Sequence, residues 1–332
     1  MSALLTQVQS TLANSPRVVK LHSPTKTKAD LFSNDFLSLS RSPQLRSAII
    51  QRLVDEKGSF LGSTGSRISE GNTALHMSFE AKLREYYNAD TVLLFTSGFD
   101  ANMAVFQALP QDGDVVVYDT LVHISVRDGI RLSRAANSSY SFNHNSAESL
   151  KSVLQQIIAS YPGIRSGSCT VFVAMESLYS MGGDVAPIQE LLDVVENTLP
   201  EGCAQIVVDE AHATGLYGPA GRGIVSHMGL DKRVDIRLHT FSKALAGIGG
   251  NLIPYTISCA HIAEVYQYSC CDLLPFGSDI SCEFRTSLDV YNRHASYVYY
   301  RRRGFSEYCE KRHRRPGSNS LPLSYNQLRL SL

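Results

Sequence analysis

Short apolar runs alternate with amphipathic segments through the middle of the chain. Each run is bounded by small or polar residues, which is typical of buried β-strands. The pattern predicts strands over Val92–Phe95, Asp114–Asp119, Tyr140–His144, Cys169–Met175 and Ile206–Val208.

The segments between these runs carry apolar residues at helical spacing. They predict helices over Ser42–Lys57, Ala74–Tyr87, Ser149–Tyr161 and Pro187–Leu199. In the second of these helices, Leu75, Phe79 and Leu83 are the expected core positions. Alternation of strand and helix favours a mostly parallel sheet with helices on both faces. Ligands of such sheets bind beyond the carboxyl ends of the strands.

One lysine stands in an unusually apolar stretch. Lys243 lies within His239–Gly250, and no other charged residue lies between Arg237 and Glu264. Loss of solvation lowers the pKa of an amine and makes it a nucleophile. Such an amine suits a cofactor that carries a carbonyl group. On composition alone, an ordinary surface lysine is the alternative.

An acidic residue follows the short apolar run Ile206–Val208. Asp209 comes where that strand should end, and His212 follows in the next turn of chain. Asp209 is placed to meet a cationic ring nitrogen, and His212 to hydrogen-bond a neighbouring oxygen. Capping of a following helix by Asp209, with His212 in a solvated loop, is the alternative.

Two further segments place small or polar residues where helices begin. Ser97 and Gly98 precede a helix, whose free N–H groups and dipole attract phosphate. Ordinary capping by Ser97 would give the same pattern. His123 likewise stands near a helix start, which on sequence alone is its simplest interpretation.

Six segments of the chain, in this order, resemble the α-oxoamine synthase family. They are residues 62–76, 96–105, 118–134, 176–188, 208–223 and 239–247. The resemblance implies a pyridoxal-phosphate-dependent enzyme of the aspartate-aminotransferase fold type (fold type I). Its α/β large domain would hold a mostly parallel seven-stranded sheet with helices on both faces, followed by an incomplete small C-terminal domain.

The resemblance also assigns roles to individual residues. Lys243 would bind the cofactor covalently and act as a base, Asp209 would pair with the pyridine nitrogen, and His212 would orient a ring oxygen. His123 would stack on the ring. The remaining implied residues hold the cofactor phosphate or contact cofactor and substrate: Ser97, Gly98, Phe99 and Thr240 for the phosphate, and Ser177, Ser180, Asn34 and His76 near cofactor or substrate.

The reaction implied by the resemblance is a decarboxylative condensation of an amino acid with an acyl-CoA. Alanine is the expected amino acid, pyridoxal 5′-phosphate the cofactor and a homodimer the expected assembly. Three other hypotheses stay open: an aminotransferase on the same fold, a catalytically impaired paralogue that serves as a binding or dimer partner, and a sphingoid-type synthase.

The extent of the resemblance and the composition of the two ends divide the chain into four parts. We expect an N-terminal helix and arm over residues 1–33, a large cofactor-binding domain over 34–250 and a divergent remnant over 251–290. A basic, Ser-rich tail over 291–332 is expected to be disordered. Within the remnant, Ser269 is a candidate contact for the phosphate of a neighbouring subunit.

Composition narrows the class of protein further. Lys plus Arg and Asp plus Glu number 31 each, so no global charge favours nucleic acid or a membrane surface. No apolar run reaches the roughly 18 residues of a membrane-spanning helix. The seven cysteines show no metal-like spacing before residue 250, which indicates reduced thiols and a cytoplasmic location, with peroxisome or mitochondrion as alternatives. No metal site is expected.

Overall fold

The computed structural model describes residues 10, 30, 32–55, 62–67 and 71–255. The predicted N-terminal helix, the remnant after residue 255 with Ser269, and the basic tail lie outside the described residues.

A seven-stranded mixed sheet forms the centre of the described chain. Its strands are β1 (Leu93–Phe95), β2 (Val115–Asp119), β3 (Ser139–Phe142), β4 (Val171–Glu176), β5 (Ala204–Asp209), β6 (Ile236–Thr240) and β7 (Gly250–Pro254). They lie in the order β1-β7-β6-β5-β4-β2-β3, and only β7 runs antiparallel to its neighbours. The predicted mostly parallel sheet of seven strands is therefore confirmed. β7 carries this sheet past residue 250, where the sequence placed a domain boundary.

The helices begin and end close to the positions that the periodicity predicts. They are α1 (Pro43–Asp55), α2 (Ala74–Tyr87), α3 (Gly98–Ala108), α4 (Ile124–Arg131), α5 (Ala147–Ser160), α6 (Pro162–Ser166), α7 (Ile188–Thr198) and α8 (Ile224–His227). At the start of α2 the Thr73 hydroxyl accepts the His76 N–H, and at its end Asn88 is left-handed (φ 49°).

Two apolar layers cover the two faces of the sheet, because neighbouring residues on a strand point to opposite sides. On one face Val171 and Val173 of β4 pack with buried residues of α5 and α7. On the other, Phe172 and Ala174 pack with buried residues of α3 and α4. Each large side chain buried in this way contributes about 1.5–3 kcal/mol. The expected placement of helices on both faces is confirmed.

The predicted core positions of α2 are only partly correct. Leu83 is buried and packs with Tyr87 and Phe241, whereas Leu75 and Phe79 are 40% and 42% exposed. Only the later turns of α2 pack against the sheet. The spacing of apolar residues therefore identifies the side of the helix that faces the core, but it does not show how many turns of that side are buried.

A partly buried histidine joins three connections at one edge of the sheet. His144 lies between β3 and α5, with Nδ1 at 3.0 Å from Asp119 Oδ1 and Nε2 at 2.7 Å from Asp184 Oδ2. Asp119 is fully buried and also accepts the N–H groups of Leu121 and Asn145. Burial alone would lower the pKa of His144, but its hydrogen bonds to Asp119 and Asp184 raise that pKa above the usual value.

We expect His144→Ala to lower the free energy of unfolding by about 1 kcal/mol near pH 6, because a hydrogen bond to a charged group is lost. A histidine with a raised folded-state pKa stabilises most below its unfolded pKa of about 6.5, and the contribution disappears as pH rises through the folded value. Urea unfolding of both proteins between about pH 6 and pH 9 should therefore show a difference that shrinks with rising pH.

His227→Ala is the matched control, because His227 is exposed at the end of α8. This control separates the loss of the His144 contacts from the removal of a histidine as such. A His144→Ala difference that grows with pH would contradict the charged form of His144 assumed here.

Candidate active site

The parallel strands bring the candidate residues to one edge of the sheet. Asp209 is the last residue of β5, Thr240 the last of β6, and His123 follows β2 as the N-cap of α4. Ser97 follows β1 as the N-cap of α3. Carboxyl ends of parallel strands share one edge, so residues from distant parts of the sequence meet there.

Asp209 is held on both of its carboxylate oxygens. Oδ1 accepts the Ala211 N–H at 2.8 Å, and Oδ2 accepts a hydrogen from Asn102 Nδ2 at 2.8 Å. The residue is buried, with 6% of its surface exposed. Its carboxylate is therefore fixed in direction and still has lone pairs free for a cationic N–H.

Lys243 follows β6 in a closed turn. The turn is held by hydrogen bonds from Ala246 N to Lys243 O at 2.9 Å and from Gly247 N to Phe241 O at 2.7 Å. Burial lowers the pKa of Lys243 below the usual lysine value, and the charges of Asp209 and Glu176 oppose that shift. The amine is thus closer to its nucleophilic form than that of a surface lysine.

The two candidate histidines lie in the electrostatic field of Lys243 and Asp209. Burial, and next the charge of Lys243, lower the pKa of His212 to about 4. Burial also lowers the pKa of His123, against the attraction of Asp209. Both imidazoles are therefore neutral near pH 7. The structure brings Lys243, Asp209, His123 and His212 together, as the sequence interpretation requires.

Ser97, Gly98 and Thr240 form a narrow cradle at the start of α3. Ser97 Oγ accepts the Asp100 N–H at 3.0 Å, which is the capping role that the sequence left open. A Cβ at Gly98 would lie 3.1 Å from Thr240 Cβ, so a larger residue would crowd the contact between helix and strand. Asp100 adds a carboxylate here, and its Oδ2 accepts the hydroxyl hydrogens of Thr96 and Ser97.

The other sequence candidates lie around this group. Phe99 is 42% exposed, and its ring meets that of His123 edge-on at 5.9 Å between centroids. Asn34 is exposed in a turn, and Phe36 from the same turn lies 6.2 Å from the His212 ring. These contacts bring the Asn34 segment near the candidate site.

The three remaining candidates are His76, Ser177 and Ser180. His76 belongs to the cap of α2, with Nδ1 at 2.8 Å from Thr73 Oγ1. Ser177 is fully buried, with its hydroxyl beside the carboxyl of Glu210. Ser180 is exposed in the turn that follows β4.

Sequence reasoning missed two buried acids beside Asp209. Glu176, the last residue of β4, lies opposite Asp209 in the sheet register and is 3% exposed. Burial, and next the charge of Asp209, raise the pKa of Glu176 to about 8. Glu176 follows an apolar run just as Asp209 does, so the same signal could have found it.

Glu210 has a structural role. It is fully buried and accepts the N–H groups of Ile224 at 3.0 Å and Val225 at 3.1 Å, at the start of α8. Burial raises the pKa of this carboxyl to about 7. A Cβ at Gly223 would lie 1.7 Å from Glu210 Oε2, so a residue with a side chain at this position would clash with the carboxyl.

Asn102 and Ser125 were also missed. Both are buried and connect Asp209 with His123 through hydrogen bonds. Nothing in the local sequence marks them, because each lies inside a helix with ordinary neighbours.

Within the described residues, His, Cys, Asp and Glu side chains form no group of three or more arranged to hold a metal ion. Over the same residues, no helix has the length and apolar character needed to cross a membrane.

Comparison with known proteins finds relatives that include an 8-amino-7-oxononanoate synthase and a serine palmitoyltransferase. The chain is 46% identical to the 8-amino-7-oxononanoate synthase of Emericella nidulans over 224 residues, which cover 67% of this chain and 54% of that protein. The solved serine palmitoyltransferase of Sphingomonas wittichii is 31% identical with a TM-score of 0.62, covering 83% of this chain and 67% of that one.

A structure of SPT with PLP is also similar, at 29% identity and a TM-score of 0.60, covering 70% of this chain and 54% of that chain. The chain spans about half the length of the curated relatives that it matches. These relatives bear out the resemblance to α-oxoamine synthases that the six sequence segments indicated.

The family model described as aminotransferase class I and II matches residues 26–267, which include the whole sheet and the candidate site. The chain therefore belongs to the aminotransferase class I and II family.

Proposed function

We propose that the chain binds pyridoxal 5′-phosphate and catalyses a decarboxylative condensation of an amino acid with an acyl-CoA. The observation that carries this proposal is the buried Lys243 amine, which shares one site with the fixed carboxylate of Asp209 and two neutral histidines. The named relatives support the same reaction class, since they include an 8-amino-7-oxononanoate synthase and a serine palmitoyltransferase.

The residues present fit the cofactor. Lys243 offers an amine with a lowered pKa for the aldehyde, and Asp209 offers a carboxylate for the protonated pyridine nitrogen. The space that a Cβ at Gly98 would take from Thr240 is left open for the phosphate, beside the free N–H groups of α3. When bound, pyridoxal phosphate supplies an electron-accepting ring conjugated to the nitrogen of the amino acid.

Each side chain then has a defined task. Asp209 would keep a proton on the ring nitrogen, and its fixed carboxylate would need no reorientation to do so. The Lys243 amine would accept the α-proton of the amino acid. His212, neutral near pH 7, would hydrogen-bond the ring oxygen, and the His123 imidazole would contact the ring.

The overall reaction balances without a further reactant. The α-carbon of the amino acid forms a bond to the acyl carbonyl carbon, and the thioester C–S bond breaks to release CoA as its thiol. The α-carboxyl group leaves as CO₂. The product is an α-amino ketone, and alanine as substrate would correspond to the 8-amino-7-oxononanoate synthase of biotin synthesis.

A second copy of the chain belongs to the proposal. Ile49, Leu53 and Val54 of α1 are 51%, 65% and 68% exposed, and exposed apolar patches mark interaction surfaces. This surface supports the homodimer that the resemblance to α-oxoamine synthases implies.

We expect Lys243→Ala to abolish covalent capture of the cofactor. The full chain, incubated with pyridoxal phosphate and reduced with borohydride, should carry one adduct, which peptide mass spectrometry places on Lys243. The adduct should be absent from Lys243→Ala and retained in Lys232→Ala, since Lys232 is an exposed lysine away from the sheet edge. A stoichiometric adduct on another lysine of the Lys243→Ala protein would overturn the assignment.

A turnover assay tests the reaction class. Full chain with pyridoxal phosphate is given alanine or serine together with short, medium or long acyl-CoA thioesters, and thiol and CO₂ release are followed. We expect both products in equal amounts, with alanine preferred.

Other outcomes point elsewhere. Preference for serine would favour a sphingoid-type reaction, as in the serine palmitoyltransferase relative. Accumulation of pyridoxamine phosphate without CO₂ would favour an aminotransferase. A captured cofactor without turnover would favour a binding or dimer partner and would contradict the proposed reaction.

We expect Asp100→Asn to bind pyridoxal phosphate about threefold more tightly. The carboxylate of Asp100 accepts the Ser97 hydroxyl hydrogen at 2.7 Å and places a negative charge beside the proposed phosphate site. Removal of a nearby like charge is worth roughly 0.5–1 kcal/mol at a partly exposed position. Absorbance titration measures the affinity, with Asp112→Asn, at an exposed turn residue, as control. Weaker binding by Asp100→Asn would place the phosphate elsewhere.

A further inference from the structure

A buried amide connects two of the proposed site residues. Asn102, on α3, is 2% exposed. Its Nδ2 donates one hydrogen to Asp209 Oδ2 at 2.8 Å and one to Ser125 Oγ at 3.0 Å. Both amide hydrogens are thus used, and the contact with a carboxylate fixes which end of the amide faces Asp209, since an amide oxygen would be repelled there.

Ser125 continues the connection towards His123. It is fully buried on α4, and its Oγ lies 2.7 Å from His123 Nδ1. Because the Ser125 oxygen already accepts from Asn102, its own hydrogen is free to be donated to the imidazole. The Ser125 backbone N–H also points at Nδ1, at 3.3 Å.

These contacts determine where the imidazole carries its hydrogen. A backbone N–H can only donate, so Nδ1 of His123 must act as an acceptor. The neutral ring then carries its hydrogen on Nε2. A proton on Nδ1 would set N–H against the backbone N–H of Ser125 and would lose the contact that this N–H donates.

We propose that Asn102 and Ser125 are positioning residues, which form one hydrogen-bonded relay from Asp209 to His123 and hold His123 as the neutral Nε2–H tautomer. In its effect on the cofactor, this inference rests on the proposed function. The relay makes the orientation of the His123 imidazole depend on the same amide that fixes the carboxylate of Asp209.

The composition of the relay argues against a role in packing alone. Asn102 Oδ1 is buried and has no hydrogen-bond partner among the described residues. An unsatisfied buried oxygen disfavours asparagine at a position where an apolar residue of similar size would fill the space. The two donated hydrogens are what distinguish asparagine from that alternative.

The surroundings of His123 contain other charged groups that act on it. Asp209, Lys243 and Arg127 contribute to its electrostatic environment, and the carboxyl of Glu176 lies near its backbone N–H. None of these groups hydrogen-bonds Nδ1, so the tautomer depends on the backbone N–H and the hydroxyl of Ser125, and Asn102 holds that hydroxyl.

The tautomer is measured directly in the full chain without cofactor. Histidine is labelled with ¹⁵N, the ring signals are recorded near pH 7, and the His123 signals are assigned by their loss in His123→Phe. We expect one tautomer with the hydrogen on Nε2. A hydrogen on Nδ1 in the unaltered chain would overturn the relay. This measurement uses the unaltered chain, so it does not depend on whether any relay variant folds.

The variants test the parts of the relay. Ser125→Ala keeps the backbone N–H at Nδ1 but loses the hydroxyl, so the fraction of the Nδ1–H tautomer should rise. Ser125→Thr, which keeps the hydroxyl, should restore the single tautomer. Ser133→Ala is the matched control, because Ser133 is a buried hydroxyl just beyond α4 that donates to Ile130 O at 2.8 Å. A Ser125→Ala spectrum identical to that of Ser133→Ala would overturn the proposal.

Cofactor affinity provides the second readout. Asn102→Ala should weaken binding of pyridoxal phosphate about tenfold, which corresponds to losing a hydrogen bond to a charged group. Asn197→Ala, at an exposed asparagine of α7, should leave the affinity unchanged. Unchanged affinity in Asn102→Ala would overturn the link to Asp209. Absence of binding by the unaltered chain would refute the proposed function instead, and the tautomer measurement would still decide the relay.

Discussion

Two buried carboxyl groups side by side set the character of this protein's site. β4 and β5 are parallel and in register, so their last residues, Glu176 and Asp209, lie opposite one another at the carboxyl edge of the sheet. Two adjacent negative charges in an apolar interior raise the free energy of the folded state, and three features of the structure reduce this cost. Asn102 donates to Asp209, Lys243 brings a positive charge, and Glu176 keeps its proton, since its pKa is raised to about 8. The lysine, the amide and the protonated acid therefore all stabilise the same pair of buried carboxyl groups.

The sequence predicts the fold and the main candidates because both depend on local patterns. Apolar runs that end in polar residues located the strands and Asp209, and the absence of other charges around Lys243 located the lysine. Ser97 and His123 were ambiguous, and the structure explains why. Both cap helices, and both lie at the sheet edge where ligands of such folds bind. Capping and ligand binding use the same atoms, so sequence alone does not separate them.

The parts that sequence reasoning missed depend on contacts between distant segments. Asn102 and Asp209 are 107 residues apart, and their meeting requires α3 to pack across the end of β5. Glu210 is paired with the loop at Gly223 in the same way. Leu75 and Phe79 were predicted to be buried from the local pattern alone, and both are exposed. Periodicity gives the direction in which a helix is apolar, and the neighbouring element decides how much of that side is buried.

The position of β7 has a consequence for how the chain is made. β7 lies between β1 and β6, although it is the last of the seven strands to be synthesised. While Gly250–Pro254 is still inside the ribosome, β6 has an open edge and β1 has no strand to pair with. Open edges of this kind are where partly folded chains associate wrongly. Completion of the sheet, and with it the seating of α3 against Thr240, therefore waits for β7, the last of the seven strands in the sequence.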